Sequence, residues 1–514
     1  MPGLTGVGTL VGLVAFALAG LVGRDGRPSR PSGGVRIGAR RPTAPPPGRR
    51  APRRRTPRPR GAPGGTTARW AHGGELRPLV CPGSSGTRPA PPGRLVLGYA
   101  GRRLLAAEPR QSVIVFGPSQ SRKTSGFAVP AILGWEGPVV ATSVKADLVG
   151  DTLAYRRCRG SVACFDPTGS TGLPSAGWSP LATSTTWSGA RRTAASLTEG
   201  GRASAGSMAD ADFWYATATK MLAPLLLAAA TGGRRMADVV RWVDTREETE
   251  VLDLLHDAGV PAAIDAALAV FGREERQRSS TATTVETILE PFADLAVEPI
   301  TDDPSTGTVD PRALMAGVNT LYLCAPAHDQ RRLSPLFTAV LRQVVEHVYD
   351  TVTRTGRPID PPLLVVLDEA ANIAPLGDLD ALASTAAGHG IQLVSVWHDL
   401  AQITARYGPR APTVVNNHRA KVFLAGIADP ETLDHASRLI GDEELLVPAF
   451  TSGGAGGPST TRSTSTRRLA PPDALRRIPT GEGVLVYGGL PPTRLRLRTW
   501  YDDPELATRA RGGA

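Results

Sequence analysis

The sequence predicts an α/β protein: a mostly parallel sheet with helices on both faces, broken by an inserted all-α segment and preceded by a membrane-spanning helix. Three observations carry that expectation. Short β-branched runs, among them Val113–Phe116, Pro138–Thr142, Ser161–Phe165, Thr320–Cys324 and Leu363–Leu367, alternate with helical patterns. Such alternation builds parallel sheets whose ligands gather at the carboxyl ends of the strands. Between Thr185 and Glu298 strand-like runs are nearly absent, and Ala/Leu-rich segments of helical period such as Ala211–Ala230 and Val239–Val270 replace them. At the front, Leu4–Gly23 is an apolar run of about 20 residues, enough to span a bilayer core of about 30 Å as a helix.

Taken in order, residues 1–23 carry no charged side chain and form the predicted anchor. A cleaved signal peptide is the competing reading, but it would place basic residues before the apolar run, and here Arg24, Arg27 and Arg30 follow it. By the positive-inside rule the bulk of the chain stays cytoplasmic, as in a single-pass protein of the inner (cytoplasmic) membrane. Residues 24–92 read as a disordered tether, Pro/Arg/Gly-rich as far as Arg69 and without apolar surface to bury. Arg24 to Arg69 holds fourteen arginines against one acid, Asp25, which more than accounts for the formal net charge of +11. The remainder is close to neutral, so the basic character belongs to the arm, whose natural partner is anionic lipid, with nucleic acid as a looser alternative. Cys81, Cys158, Cys164 and Cys324 show neither CxxC nor zinc spacing, which fits a reducing compartment; Cys164 and Cys324 fall in predicted strands as small core residues.

The most informative stretch is Val113–Gly126, VIVFGPSQSRKTSG. A buried strand ends at Gly117, and Lys123-Thr124 opens a helix, the layout of a phosphate-binding loop over Gly117, Pro118, Ser119, Gln120, Ser121, Arg122, Lys123 and Thr124. In such a loop a lysine reaches the β- and γ-phosphates of ATP and a Ser/Thr hydroxyl ligates Mg²⁺. Arg122 stands where the usual G-x-x-x-x-G-K-[ST] pattern has its second glycine. Only four of the 58 basic residues are lysines, so the retention of Lys123 is chemically informative: a compact ammonium fits among phosphates where a planar guanidinium does not.

Further along, Leu363–Leu367 ends in Asp368-Glu369. An acid there, beside a phosphate loop, is where Mg²⁺ needs a ligand (Asp368), and its neighbour Glu369 is placed to polarise an attacking water. The strand Ile391–Trp397 ends at His398 and enters a helix carrying Gln402, which makes both candidate sensors of the γ-phosphate; capping is the rival role. Trp214 and Tyr215 in the helical segment read as core. Thr451–Thr466 reads as a Gly/Ser/Thr linker, Gly483–Tyr487 and Arg494–Arg498 as a last pair of strands whose arginines 494, 496 and 498 face water, and 501–514 as a disordered tail.

The order of anchor, phosphate loop, helical insertion, VVLDEAANIAPL, VSVWHDLAQITARYG, VNNHRAKVFLAG and the late RLAPPDALRRIPTGEGVLVYGGLPP resembles the TraG/TraD-type coupling proteins of type IV secretion and conjugation, over about Val113 to Trp500. The resemblance implies a RecA-like nucleotide-binding core in two parts, 93–184 and 311–500, flanking an all-α domain at 185–310. It implies a homo-hexameric ring at the inner membrane that recruits relaxase-bound single-stranded DNA or protein substrates to the channel components and drives transfer with ATP and Mg²⁺. It assigns Lys123 and Thr124 to the loop, Asp368 to Mg²⁺, Glu369 to catalysis and Gln402 to the helix entry. Three positions depart: Arg122 for the loop glycine, His398 for a glutamine that contacts the γ-phosphate, and Ala387 for an arginine that completes a neighbour's site. The alternatives are an FtsK-like duplex translocase and a receptor that binds nucleotide but hydrolyses it weakly.

Overall fold

The computed structural model describes residues 67–81, 92–204, 211–302, 308–373, 375–451 and 459–513. The predicted anchor at 1–23 and most of the tether lie outside them. Among the described residues thirteen strands follow in chain order: β1 (Val96–Ala100), β2 (Arg103–Ala106), β3 (Val113–Phe116), β4 (Val139–Ser143), β5 (Val162–Phe165), β6 (Thr320–Cys324), β7 (Leu363–Leu367), β8 (Ile391–Trp397), β9 (Ala420–Leu424), β10 (Asp442–Thr451), β11 (Ser459–Arg468), β12 (Glu482–Tyr487) and β13 (Thr493–Arg496). Eleven form one sheet in the order β2-β1-β13-β12-β9-β3-β8-β7-β4-β6-β5. From β9 to β5 every pairing is parallel, and the remaining edge, β12, β13, β1 and β2, is antiparallel.

Strands buried on both faces need apolar residues at every position, and β3, β4, β6, β7 and β8 are buried throughout. The two-residue period then sorts their side chains. Ile114, Phe116, Val365 and Leu367 face a core shared with the helical segment, whereas Val113, Val115, Leu364 and Val366 face one closed by the helices Val129–Leu133, Ala146–Arg159 and Pro504–Ala510. Between β5 and β6 the described residues hold helices and no strand, beginning with Trp187–Ser204 and Ala211–Thr231. Ala211–Thr231 is long and apolar enough to cross a membrane, but 67% of its most apolar window is buried, which makes it the centre of a helical core. Tyr215 is buried in it, while Trp214 is only partly covered and stands edge-on to the exposed Phe213. The helices Trp187–Ser204 and Gln330–Thr355 touch backbone to backbone: a Cβ on Gly200 would lie 2.5 Å from the Cα of Pro335.

Four expectations are corrected. Residues 67–81, assigned to the disordered tether, are folded: Leu76, Leu79 and Cys81 are buried, Cys81 donates its N–H to the Leu104 carbonyl at 3.0 Å, and Val80 bridges Leu105. A handful of apolar residues suffices because the segment covers the open edge of β2, whose backbone groups would otherwise be unpaired. The hairpin β1–β2 is an addition to the sequence reading, its signal being two alternating runs about Gly101, which has φ +58°. The segment read as a Gly/Ser/Thr linker contributes β11, which pairs antiparallel with β10 and carries the ion pairs Arg467–Glu443 (2.7 Å) and Arg468–Asp442 (3.4 Å); only 452–458 within it lie outside the described residues. The tail contains the helix Pro504–Ala510, capped by Asp503. Arg498 is buried rather than facing water and bonds Asp503 and Glu505, both at 2.7 Å; Arg494 and Arg496 are exposed but lie over the rings of Trp70 and Tyr99.

One buried cation holds the parallel strands in place from behind. Arg156 is wholly buried with no carboxylate partner, and donates to the carbonyls of Trp135 and Gly137 (2.8 Å each) and to Thr320 Oγ1 (2.7 Å), joining the approaches to β4 and β6. Burial pushes its pKa down to about 10. Arg156→Met fills a similar volume but strands those acceptors, so it should destabilise by about 3 kcal/mol. A thermal unfolding curve coincident with the parent would show that the carbonyls find other donors.

Candidate functional site

β3 delivers the chain to Gly117, whose N–H donates to the Trp397 carbonyl at the end of β8 (3.0 Å). No side chain fits at Gly117: a Cβ would meet Ser121 Oγ at 2.5 Å and the Leu424 Cβ at 3.1 Å. Gln120 and Arg122 both have φ +65°. The loop therefore keeps at Arg122 the left-handed turn a glycine would adopt freely, at a cost of order 1 kcal/mol for a side chain with a Cβ. The Arg122 guanidinium points to the C-terminal segment, 3.6 Å from Asp502 and 5.8 Å from the centre of the Tyr501 ring. Lys123 is buried, and its Nζ donates to the carbonyls of Gly117 (2.7 Å) and Pro118 (3.3 Å). Burial lowers its pKa, and Asp368, Glu369 and Asp399 work against that.

Thr124 opens a five-residue wide turn, Thr124–Ala128, that runs into the helix Val129–Leu133. Its hydroxyl donates to Asp368 Oδ2 at 2.8 Å, so residues 244 positions apart meet. Asp368 lies at the end of β7, two strands from β3, and Thr142 at the end of β4 donates to its backbone carbonyl at 3.0 Å. Its Oδ1 is buried without a hydrogen-bond partner, as is Ser121 Oγ in the loop. Burial foremost, then the neighbouring Glu369 charge, pushes the Asp368 pKa up to about 6.

Glu369 follows at φ +58°, a backbone conformation that turns its side chain out of the strand direction. Asn372 Nδ2 donates to its carboxylate at 3.3 Å, and His398 Nε2 lies 3.7 Å away. The His398 contact, with Asn372, holds the carboxyl below its ordinary value against the effect of burial. The other ring nitrogen, His398 Nδ1, is 3.5 Å from Lys123 Nζ, so the imidazole stands between the loop lysine and the acid. Gln402 reaches the site through His398: its Oε1 accepts from the His398 backbone N–H at 2.9 Å, while Asp399 caps the helix Leu400–Tyr407. A polar cavity of about 220 Å³, lined by Gln330, Arg331, Ser334, Glu369, Asn372 and Pro375 among others, adjoins the acid.

These residues suit a magnesium-bound polyphosphate. The donors are hard oxygens, Thr124 Oγ1 and Asp368, one carboxylate oxygen is buried and unpartnered, and a buried ammonium rests on carbonyls of its own loop and on the His398 ring. Ala387, on the helix Leu379–His389, adds no charge.

Sequence reasoning missed the bracing of the segment after Glu369. Glu199 Oε1, from the helix Trp187–Ser204, accepts from the Gly377 N–H; Arg342 bonds Glu199 at 2.7 and 2.8 Å and also pairs with Asp378. Arg406 and Tyr407 donate to the carbonyls of Pro375 (2.6 Å) and Leu376 (2.8 Å). Charged residues scattered over 200 positions give no local signal of such a cluster.

The profile of the family described as "Type IV secretory system Conjugative DNA transfer" matches residues 88–512. A conjugal transfer protein TraG of Escherichia coli is 24% identical over 452 residues, covering 78% of this chain and 69% of that protein. A protein VirD4 of Agrobacterium fabrum is 24% identical over 469 residues, covering 86% of this chain and 66% of the relative. Among solved structures, the bacterial conjugative coupling protein TrwBdeltaN70 in its unbound monoclinic form superposes with a TM-score of 0.62 at 17% identity, over 84% of this chain and 92% of that one. The plasmid coupling protein TrwB in complex with ADP and Mg²⁺ gives 0.59 at 16% identity, over 84% and 94%. At such identities the likeness to solved structures establishes the fold.

Proposed function

The chain belongs to the conjugative DNA-transfer family of type IV secretory systems, and from that premise we propose that it is an ATP-hydrolysing coupling protein, anchored in the cytoplasmic membrane, that brings relaxase-bound single-stranded DNA or protein substrates to a secretion channel. The observation that carries the reading is the convergence of Lys123, Thr124, Asp368 and Glu369 at the ends of β3 and β7. The TraG and TrwB names, and the ADP and Mg²⁺ held by one TrwB structure, support it.

In this reading Lys123 leaves the Gly117 and Pro118 carbonyls and turns its ammonium to the β,γ end of the nucleotide. The Thr124 hydroxyl and Asp368 hold the metal. When bound, magnesium-ATP supplies the phosphoanhydride whose hydrolysis releases the free energy for transfer. Glu369, kept ionised by His398 and Asn372, orients a water from the adjoining cavity and accepts its proton. Assembly as a homo-hexameric ring would set each site beside a neighbour, with the cation absent at Ala387 supplied from another position.

Ala387 is also the observation that favours the second reading, a nucleotide-binding receptor with weak turnover. Phosphate release by the purified full-length protein, with and without DNA, decides between them. The expected result is turnover that rises with single-stranded DNA. A response to duplex alone would point to a duplex translocase, and bound nucleotide without turnover would leave the receptor.

A further inference from the structure

The polar cavity beside Glu369 has walls from two elements of the core. Gln330 and Ser334 lie at the start of the helix Gln330–Thr355, and Asn372 and Pro375 lie on the segment that follows β7. Two consecutive residues of the helical segment hold both walls. Glu199, on the helix Trp187–Ser204, accepts the Gly377 N–H just past Pro375, and the carbonyl of Gly200 accepts from Ser334 Oγ at 3.1 Å. This grip has little play, because the two helices touch at that point: a Cβ on Gly200 would lie 2.6 Å from the Ser334 carbonyl oxygen.

The Glu199 carboxylate is itself fixed. Arg342 holds both of its oxygens and reaches on to Asp378, so one guanidinium, on a side chain only 14% exposed, ties the helical segment to the segment after β7. On the other side, Arg406 and Tyr407 hold the Pro375 and Leu376 carbonyls. Both belong to the helix Leu400–Tyr407, whose Gln402 takes the His398 N–H. Residues 375–378 are therefore clamped between the helical segment and the helix behind His398. Asn372 and His398, at the two ends of this frame, contact the Glu369 carboxylate. Glu199 is not among the residues lining the cavity, so its effect on the acid passes through the walls. A general base must stand within hydrogen-bond reach of its water, and a misplacement of about 1 Å can cost about a hundredfold in rate.

On the reading that Glu369 activates water for hydrolysis, we propose that Glu199, clamped by Arg342, is a positioning residue for Glu369. It fixes the spacing of the two cavity walls, and through it the helical segment sets the rate of turnover without touching nucleotide.

Steady-state phosphate release by the full-length protein tests this with the variants Glu199→Ala, Glu199→Gln and Gly377→Ala, and with Glu199→Ala on the Glu369→Gln background. Glu199→Ala should lower kcat about tenfold and leave the KM for magnesium-ATP within a factor of about two. Glu199→Gln, whose amide oxygen can still accept from Gly377, should recover to within about threefold of the parent. Gly377→Ala approaches the contact from the other side, since its Cβ would meet Glu199 Oε1 at 2.9 Å, and it should reproduce the kcat loss whether or not Glu199→Ala folds. On the Glu369→Gln background, Glu199→Ala should lower the residual rate no further, because the group it positions is already gone. An unchanged kcat, a loss expressed in KM, no recovery with glutamine, or an additive loss on Glu369→Gln would each overturn the proposal. A parent protein without turnover, or Glu369→Gln turning over at the parental rate, would instead overturn the hydrolase reading on which it rests.

Discussion

Replacing Lys123 by alanine should abolish nucleotide binding at concentrations that saturate the parent protein, a loss of at least about 100-fold, and should stop substrate transfer with it. The size of the effect follows from where the ammonium sits. Lys123 is buried and desolvated, donates to two carbonyls of its own loop with the His398 ring 3.5 Å away, and has Asp368, Glu369 and Asp399 raising its affinity for a proton. A cation in that setting meets phosphate oxygens in a medium of low effective dielectric, where charge-assisted bonds are strongest. Lys123→Arg should fail nearly as badly, because a planar guanidinium on a longer stem does not fit the turn whose first residue, Gly117, has no room even for a methyl group. The alanine variant should keep its thermal stability, since it removes a buried charge and leaves behind two carbonyls that water can reach through the emptied loop. Equilibrium titration with a fluorescent ATP analogue, paired with a melting curve, measures both. Parental affinity in Lys123→Ala would reject the phosphate-loop assignment outright.

How much of this was legible in the chain depends on the range of the interaction. The strands of the parallel sheet were readable because burial on both faces demands uninterrupted apolar runs: Val113–Phe116 and Leu363–Leu367 coincide with β3 and β7. The antiparallel edge was legible only in part. β12 and β13 were seen, but β1 and β2 were not, and the segment around Leu76 and Leu79 carries too few apolar residues to declare itself until the edge it covers is known. Threonine- and serine-rich Ser459–Arg468 was read by composition as linker, yet β-branched threonines pair well when a partner strand such as Asp442–Thr451 is within reach.

At the site, residue types announced the chemistry and the fold supplied the relations between them. Gly117, Lys123 and Thr124 could be named from spacing, and the acids from their place after an apolar run. The 2.8 Å contact between Thr124 and Asp368 belongs to the sheet order, which no local pattern encodes. Arg122 illustrates the limit best. Its spacing showed only a side chain where the pattern has a glycine; the structure, with positive φ at that turn, sends this side chain towards Tyr501 and Asp502. His398 likewise gained its meaning from two neighbours, the lysine on one ring nitrogen and the glutamate on the other.

Glu369→Gln should separate binding from turnover. The side chains are nearly isosteric, and glutamine adopts φ near +58° no less readily than glutamate, so β7 and its contact with Thr124 through Asp368 should survive. What disappears is an ionised acceptor. The parent carboxylate is kept charged by His398 at 3.7 Å and by Asn372 at 3.3 Å, and it borders the polar cavity from which a water can approach. An amide there can hold a water but cannot take its proton, and the loss of a positioned general base typically lowers a rate by about 10²–10⁴. Nucleotide affinity should hold or tighten, since a like charge beside Asp368 is removed from the site. Phosphate release falling a hundredfold or more while the titration curve stays in place is the expected pair of results. Turnover within about threefold of the parent would show that the acid is only a structural companion to His398, and the base would then have to be sought among other groups lining the same cavity.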